Sequence, residues 1–235
     1  MGLNGKVAVI AGASGGLGRV VTERLAKEGM KLALLSRSTD GLEDLLEDLG
    51  LSVSEHFAAA VDLTNPEGLV KIAEGIQEKF GRIDILLNLV GGWAGGETVV
   101  DVEAETIQNM LDQHLWTTYH LNQAFVPLLV KNGWGRVLVI TSPTATQPGA
   151  KSSAYAIGKV AQETLMITLA AELKGSGVTA NVIQVKAIDT KHKRDADDSG
   201  KYAGWTTPEE IASAIVYFSG EEAGQLNGIR LPLYG

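Results

Sequence analysis

The apolar run GRVLVITS ends at Ser142, and downstream of it Tyr155 is followed four residues later by Lys159. On a helix, positions i and i+4 share a face, so the phenol and the ammonium would point the same way. A tyrosine hydroxyl has a pKa of about 10 and exchanges protons poorly at neutral pH unless a nearby positive charge favours the phenolate. Lys159 could supply that charge. The Ser142 hydroxyl, at the end of a strand, could hydrogen-bond the oxygen of a carbonyl or an alcohol. Together the three could move a proton to or from such an oxygen. Tyr and Lys also occur at this spacing on many solvated helix faces, so the chemistry depends on what the rest of the chain places beside them.

The elements that would position them begin at KVAVIA, residues 6–11, a short run rich in valine and alanine that predicts a strand. A glycine turn, Gly12-Ala-Ser-Gly-Gly-Leu-Gly18, and a helical pattern stopping at Gly29 follow. Strand, glycine turn and helix is the layout that presents backbone N–H groups and a helix N-terminus to a phosphate, here the pyrophosphate of a dinucleotide. KLALLSRS predicts a second strand ending in Ser36-Arg37, where an acidic residue would suit the ribose hydroxyls of NAD and an arginine the 2′-phosphate of NADP. A helix is expected over 41–50, a third strand over 54–61 and a helix from Asn65-Pro66 to Phe80-Gly81. IDILLNLVGG, residues 83–92, reads as a fourth strand whose polar Asn88 must be hydrogen-bonded, most simply in a structural role close to the cofactor.

Two helices are expected next, over about 101–112 and 114–131, then the strand to Ser142, a helix from Ser152 to Lys174 and a sixth strand, VTANVIQV. Residues 186–206 read as a substrate loop whose KHKRDADD run is solvated beside a mobile lid. Thr207-Pro-Glu-Glu210 starts a helix with a capping box, and GIRLPLYG supplies a last strand. About seven strands alternating with helices predict an α/β single domain, a doubly wound, Rossmann-like parallel sheet covered on both faces. Ligands of such sheets bind beyond the carboxyl ends of the strands. The glycine turn, Arg37, Asn88 to Gly91, Ser142 and Val185 to Thr190 all fall there.

Composition narrows the partners. A chain of 235 residues with 45% hydrophobic residues and 28 glycines suits one soluble domain with many tight turns. The formal charge of −8 and the lack of a long basic block argue against a nucleic-acid partner. With no cysteine there is no disulfide, catalytic thiol or thiolate zinc site, and no metal centre is expected. No apolar run is long enough for a membrane span and no signal-peptide layout begins the chain, so a cytoplasmic location is expected.

These motifs, in this order, resemble the short-chain dehydrogenase/reductase family over nearly the whole chain. AGASGGLG is similar to its T-G-x-x-x-G-x-G, VDLT at 61–64 to its adenine-contacting segment, NLVG at 88–91 to its N-N-A-G, and Ser142, Tyr155 and Lys159 to its catalytic triad. The resemblance implies an oxidoreductase that interconverts a carbonyl and a secondary alcohol by hydride transfer, with NADP (NADPH) as cofactor and NAD possible. It implies that Tyr155 is the acid/base, that Ser142 holds the substrate oxygen, and that Lys159 lowers the tyrosine pKa and binds the nicotinamide ribose. Cofactor contacts are implied for Gly12, Ser14, Gly16, Leu17, Gly18, Ser36, Arg37, Asp62, Leu63, Asn88, Val90, Gly91, Tyr155, Lys159, Ile188 and Thr190. A homo-oligomer, dimer or tetramer, pairing the helices at 114–131 and 152–174, is implied as well.

The departures are specific. Ala11 replaces a threonine, Leu89-Val90 replaces Asn-Ala, and Val185-Lys186 replaces a Pro-Gly pair. His114 stands where the family usually has an asparagine that anchors a water leading toward the lysine. An imidazole could bond a carbonyl or a water and relay a proton, although a lone helical histidine is commonly a packed residue. Trp93, in GGWAGG after a strand end, is a candidate substrate contact; Trp134 and Trp205 read as packing. Two functions stay open: the NADP-dependent oxidoreductase, and a dinucleotide-binding protein of the same fold whose catalysis is weakened or lost.

Overall fold

Alternation along the first strand sets the architecture. In β1 (Val7–Ala11), Val7, Val9 and Ala11 enter one apolar cluster and Ala8 and Ile10 another, so both faces of the strand are buried. A strand buried on both sides belongs inside a parallel sheet with helices on each face. The computed structural model, which describes residues 2–234, has that form. Its parallel sheet contains β2 (Lys31–Ser36), β3 (Phe57–Ala60), β4 (Ile85–Asn88), β5 (Gly135–Thr141), β6 (Val178–Gln184) and β7 (Arg230–Pro232) besides β1, in the order β3-β2-β1-β4-β5-β6-β7.

Helices α1 (Gly16–Lys27), α2 (Asp40–Asp48) and α7 (Pro208–Ser219) pack on the face that holds Ile10, Leu34 and Ile183. Helices α3 (Pro66–Phe80), α5 (Thr117–Lys131) and α6 (Ser153–Glu172) pack on the face that holds Val9, Leu86 and Val182. The strand order reverses between β1 and β4, which opens a crevice beyond their carboxyl ends. Register aligns those ends: Ala11 lies beside Asn88, Asn88 beside Val139, and Thr141 beside Gln184. The residues that follow them, Gly12, Leu89 and Ser142, therefore emerge at the same edge.

Several boundaries differ from expectation. The third strand starts at Phe57 rather than 54, because the Ser52 hydroxyl accepts the Ser54 N–H and its carbonyl the Glu55 N–H, closing a turn instead. The fourth strand stops at Asn88, whose side-chain oxygen takes the Val90 N–H and so ends the ladder. The last strand is limited to Arg230–Pro232, and Gly235, at its expected end, lies outside the described residues.

The two helices expected over 101–112 and 114–131 form one continuous rod instead. α4 (Ala104–Leu111) passes through a π-helical turn, Asp112–Trp116, directly into α5. The turn is wide because the Thr117 N–H reaches back to the Asp112 carbonyl, and two threonine hydroxyls take other carbonyls there: Thr117 bonds Gln113 O and Thr118 bonds His114 O, each at 2.6 Å. Single π turns inside α-helices frequently mark functional sites. The sequence break read between the two helices is this turn.

The 186–206 segment carries the expected solvated charge run, exposed over most of residues 191–198, and is anchored at Asp189 and Arg194. Asp189 is buried and accepts the N–H groups of Lys193 and Arg194. Arg194 grips both oxygens of Glu210, at 2.8 and 3.0 Å, and the Trp205 carbonyl. Glu210 in turn completes the expected capping box at Thr207. Among the described residues no helix is long and apolar enough to cross a membrane, and no cluster of metal-ligating side chains occurs.

Candidate active site

The glycine turn shapes the first wall of the crevice. Gly12 has a φ of 84°, a conformation that costs an L side chain dearly, and it sits against the backbone of Leu89 and Val90, just beyond the neighbouring strand. Gly18 is held closer still: a Cβ there would lie 2.1 Å from the Gly12 carbonyl oxygen, so the turn and α1 touch only because that carbon is absent. α1 begins at Gly16, with its free N–H groups facing the crevice end of the sheet.

The crevice is a cavity of about 460 Å³ lined by Gly12, Ser14, Ser36, Arg37, Asp62 and Gly91, among others. Leu63 and Val90 complete the walls that the sequence anticipates. The hydroxyls of Ser14 and Ser36 bond each other at 2.6 Å. Asp62 accepts from the backbone and hydroxyl of Thr64, which hold its carboxyl below the usual range, and the nearby Arg37 adds to this. Not every expected contact reaches the cavity. The Leu17 side chain is in the core, which leaves only its backbone for a ligand. Ile188 is half-buried against the same cluster and pairs with Thr206, while Thr190 lies near Gly16, 3.1 Å from where a Cβ would be. Asn88 is buried beneath the wall and plays the structural part, bonding Val90 N and Thr118.

At Gly91 the cavity meets the reactive side chains. A Cβ on Gly91 would lie 3.4 Å from His114 Cε1, 3.8 Å from His114 Nδ1 and 3.8 Å from Lys159 Nζ. His114 stands edge-on to Tyr155, with ring centres 5.6 Å apart, and Lys159 Nζ is 5.9 Å from the Tyr155 ring centre. Ser142, at the end of β5, is buried and its hydroxyl bonds Thr144 at 3.1 Å. Ser142, Tyr155, Lys159 and His114 are thus gathered at the Gly91 end of the crevice.

Electrostatics assigns them different states. Burial pushes the Tyr155 phenol above its ordinary pKa, and a hydrogen bond with Ser142 partly opposes this. The sequence-based expectation that Lys159 lowers it is not met here, because the ammonium is engaged elsewhere: it donates to Ile140 O at 2.9 Å and to Gln162 Oε1 at 3.0 Å. Tyr155 is therefore a neutral phenol, able to donate a proton. Lys159 itself is lowered to about 7 by burial, against the opposing charge of Glu163.

His114 is fully buried and lowered to about 3, first by burial, then by the charge of Lys159, with its bond to Gly92 working the other way. It stays neutral at physiological pH. Its Nε2 lies 3.2 Å from the Gly92 carbonyl, an obligate acceptor, so Nε2 carries the hydrogen. Nδ1 then bears a lone pair; it is buried and lacks a hydrogen-bond partner among the described residues. A fixed acceptor suits this geometry better than a titrating relay.

Sequence reasoning missed the residues that line the cavity from the π turn, Asp112 and Gln113, and from the start of α5, Thr117. It also missed Thr118 and Gln162, which are buried and bonded to each other. The one signal for Gln162 is its place three residues after Lys159, on the same helical face. Of the tryptophans, Trp134 is packed between Lys6 and Arg136 and Trp205 against Tyr202, whereas Trp93 is 68% exposed.

The family model described as short chain dehydrogenase matches residues 6–200. A 3-oxoacyl-[acyl-carrier-protein] reductase of Vibrio cholerae is 28% identical, over 100% of this chain and 98% of the relative. The crystal structure of L-sorbose reductase from Gluconobacter frateurii, complexed with NADPH and L-sorbose, superposes with a TM-score of 0.85 at 28% identity, covering 99% of this chain and 96% of that one. An NAD⁺-bound xylitol dehydrogenase shares the fold, with a TM-score of 0.88 at 22% identity over 100% of both chains.

Proposed function

We propose, from the premise that this chain belongs to the short-chain dehydrogenase family and is an oxidoreductase of carbonyls and alcohols, that it is NADPH-dependent and uses Tyr155 as its proton donor. The observation that carries the reading is the meeting, at Gly91, of the crevice lined by the glycine turn and Arg37 with the Ser142, Tyr155, Lys159 and His114 cluster. The residues fit the cofactor: a glycine cradle with no room for a Cβ faces the crevice, and a cationic Arg37 stands at its other end without an acidic neighbour at Ser36.

Gly12, Ser14, Gly16 and Gly18, with the backbone of Leu17, would hold the pyrophosphate. Ser36 and Arg37 would bind the 2′-phosphate, and Asp62 and Leu63 the adenine. Val90 and Gly91, above Asn88, would line the path to the nicotinamide end at Tyr155 and Lys159, and Ile188 and Thr190, the latter beside Gly16, would flank the cofactor from the β6 side. When bound, the nicotinamide supplies or takes up the hydride at the carbonyl carbon. The protein's own part is proton control. Ser142 hydrogen-bonds the substrate oxygen. In the reducing direction the neutral Tyr155 gives its proton to that oxygen, and in the oxidising direction it must first lose one. Lys159, held by Ile140 O and Gln162 Oε1, would bind the nicotinamide ribose. His114 would offer its Nδ1 lone pair to a water, an acceptor in place of the family's asparagine.

This part for His114 favours turnover over a protein that binds cofactor without it, for which the Val185-Lys186 replacement of the Pro-Gly pair is the other argument. Tyr155→Phe tests the assignment: NADPH affinity should persist while turnover of a carbonyl falls by about 10² to 10⁴. Undiminished turnover in that variant would place the reaction elsewhere. We also propose a homo-oligomer, dimer or tetramer, supported by the exposed apolar side chains of Trp116, Tyr119, Ile157 and Val160 at the π turn, α5 and α6. Sedimentation showing only a species of 24.8 kDa would exclude it.

A further inference from the structure

We propose that Gln162 is a positioning residue of this reaction, holding the Lys159 ammonium with its carboxamide oxygen and tying it, through Thr118 and Asn88, to the cofactor wall at the end of β4. The inference rests on the reading of Lys159 given above and deepens it.

Hydrogen-bond logic fixes every group in this network. Val90 N–H can only donate, so the Asn88 oxygen faces it, at 3.0 Å, and the Asn88 amide nitrogen must face Thr118 Oγ1, at 2.8 Å. The His114 carbonyl can only accept, so the Thr118 hydroxyl spends its one proton there. Both lone pairs of that hydroxyl are then acceptors, one for Asn88 and the other, at 3.0 Å, for Gln162 Nε2. The Gln162 carboxamide therefore cannot flip, and its oxygen faces Lys159 Nζ at 3.0 Å.

An ammonium has three N–H donors. With Ile140 O and Gln162 Oε1 taking one each, a single donor remains for a ligand oxygen, and Nζ stands 3.8 Å from the Cβ position of Gly91 on the cavity wall. Two fixed acceptors leave that last donor little freedom of aim. An apolar side chain at 162 would fill the same space, but the lysine would lose one of its two anchors. The arrangement links the backbone that lines the crevice, at Val90, to the charged group of the reaction through four side chains that are all buried.

Two effects can be read separately in the cofactor-free protein and in turnover. The titratable and charged groups around Lys159 are Tyr155 and Glu163 on its own helix, His114 on the π turn, and Arg230 on β7, which bonds Glu163. Gln162→Met keeps the volume and all these charges but removes the acceptor, so the ammonium loses a stabilising hydrogen bond and its proton affinity falls.

The experiment titrates the ¹³Cε resonance of Lys159 in cofactor-free wild type and Gln162→Met, assigned by comparison with Lys159→Met. The variant should titrate about one pH unit lower, a tenfold loss in proton affinity. The basic limb of its kcat/KM profile with NADPH and a carbonyl should move down with it. Thr118→Val, which keeps Gln162 but releases its carboxamide, should shift both in the same direction by less, and serves if Gln162→Met does not fold. An unchanged titration with only a lower Tm would make Gln162 a packing residue and overturn the proposal. So would a shifted titration with an unmoved profile. A wild type whose turnover is indifferent to Tyr155→Phe would instead count against the assigned chemistry, and the wild-type control would reveal it.

Discussion

His114→Asn, which installs the residue usual in the family, should make the protein less sensitive to acid. In the fold the imidazole is lowered from 6.5 to about 3, chiefly by burial and then by the Lys159 charge. The unfolded chain takes up a proton as pH falls through 6.5, and the folded protein does not until about 3. The neutral histidine's contribution is therefore complete above pH 6.5 and is lost progressively as pH falls toward 3. Each pH unit in that window corresponds to about 1.4 kcal/mol, so between pH 7.5 and 5.0 the group accounts for roughly 2 kcal/mol of lost stability. Asparagine does not titrate. It is also smaller, and the space left behind should lower stability at every pH, but this offset cancels in the comparison of two pH values. His56, whose pKa is also lowered by burial, is present in both proteins and cancels likewise. Urea unfolding of both proteins at pH 7.5 and 5.0 gives the double difference. If wild type and variant lose the same stability on acidification, His114 is not the buried neutral acceptor described.

Arg37→Ala should abolish a preference for NADPH over NADH, because Ser36 carries no charge to pair with the 2′-phosphate and Arg37 is the cation at that end of the crevice; equal affinities in the unmodified protein, by fluorescence titration, would refute the cofactor assignment. Lys159→Met should gain stability relative to wild type most below pH 7, with the gain shrinking from 7 to 10.5, since the lysine's folded pKa of about 7 against 10.5 means its buried charge is a cost present at low pH and absent above 10.5. Thermal melts at pH 6 and 9 check the sign, and a gain independent of pH would contradict the burial argument. Gly18→Ala would put a carbon 2.1 Å from the Gly12 oxygen, so the turn must shift; a loss of about 1–3 kcal/mol and at least tenfold weaker NADPH binding are expected, and normal binding would show that the cradle tolerates the shift.

The fold could be read from the chain because strands covered on both faces leave continuous apolar runs, as in VAVIA at 7–11 and VLVI at 137–140, and because glycines and caps punctuate the helices between them. Tyr155 and Lys159 were legible for a similar reason, their spacing along one helix. What depends on distant partners was not. Gln162 meets Thr118 across 44 positions, and only the packing of α6 on the π turn and the start of α5 makes the pair. The same packing decides where the Lys159 ammonium points, and hence that the Tyr155 phenol is raised rather than lowered. The charged run at 191–198 is solvated as read, but the grip of Arg194 on Glu210, sixteen positions on, lies beyond any local pattern.

The π turn at Asp112–Trp116 also acts as a phase shifter. An α-helix advances about 100° per residue, and a turn that takes in one extra residue resets that count for everything beyond it. The stripe of α4 that meets α6 and the stripe of α5 that carries Leu121, Phe125 and Leu129 into the core therefore need not obey one common periodicity. Removing a single residue from the turn would straighten the rod and rotate one segment against the other by about a quarter of a revolution. Either the core face of α5 or the wall formed by Gln113 and Thr117 would then be carried out of place. One residue of surplus helix thus lets a single rod serve the hydrophobic core along one part of its length and the crevice along another.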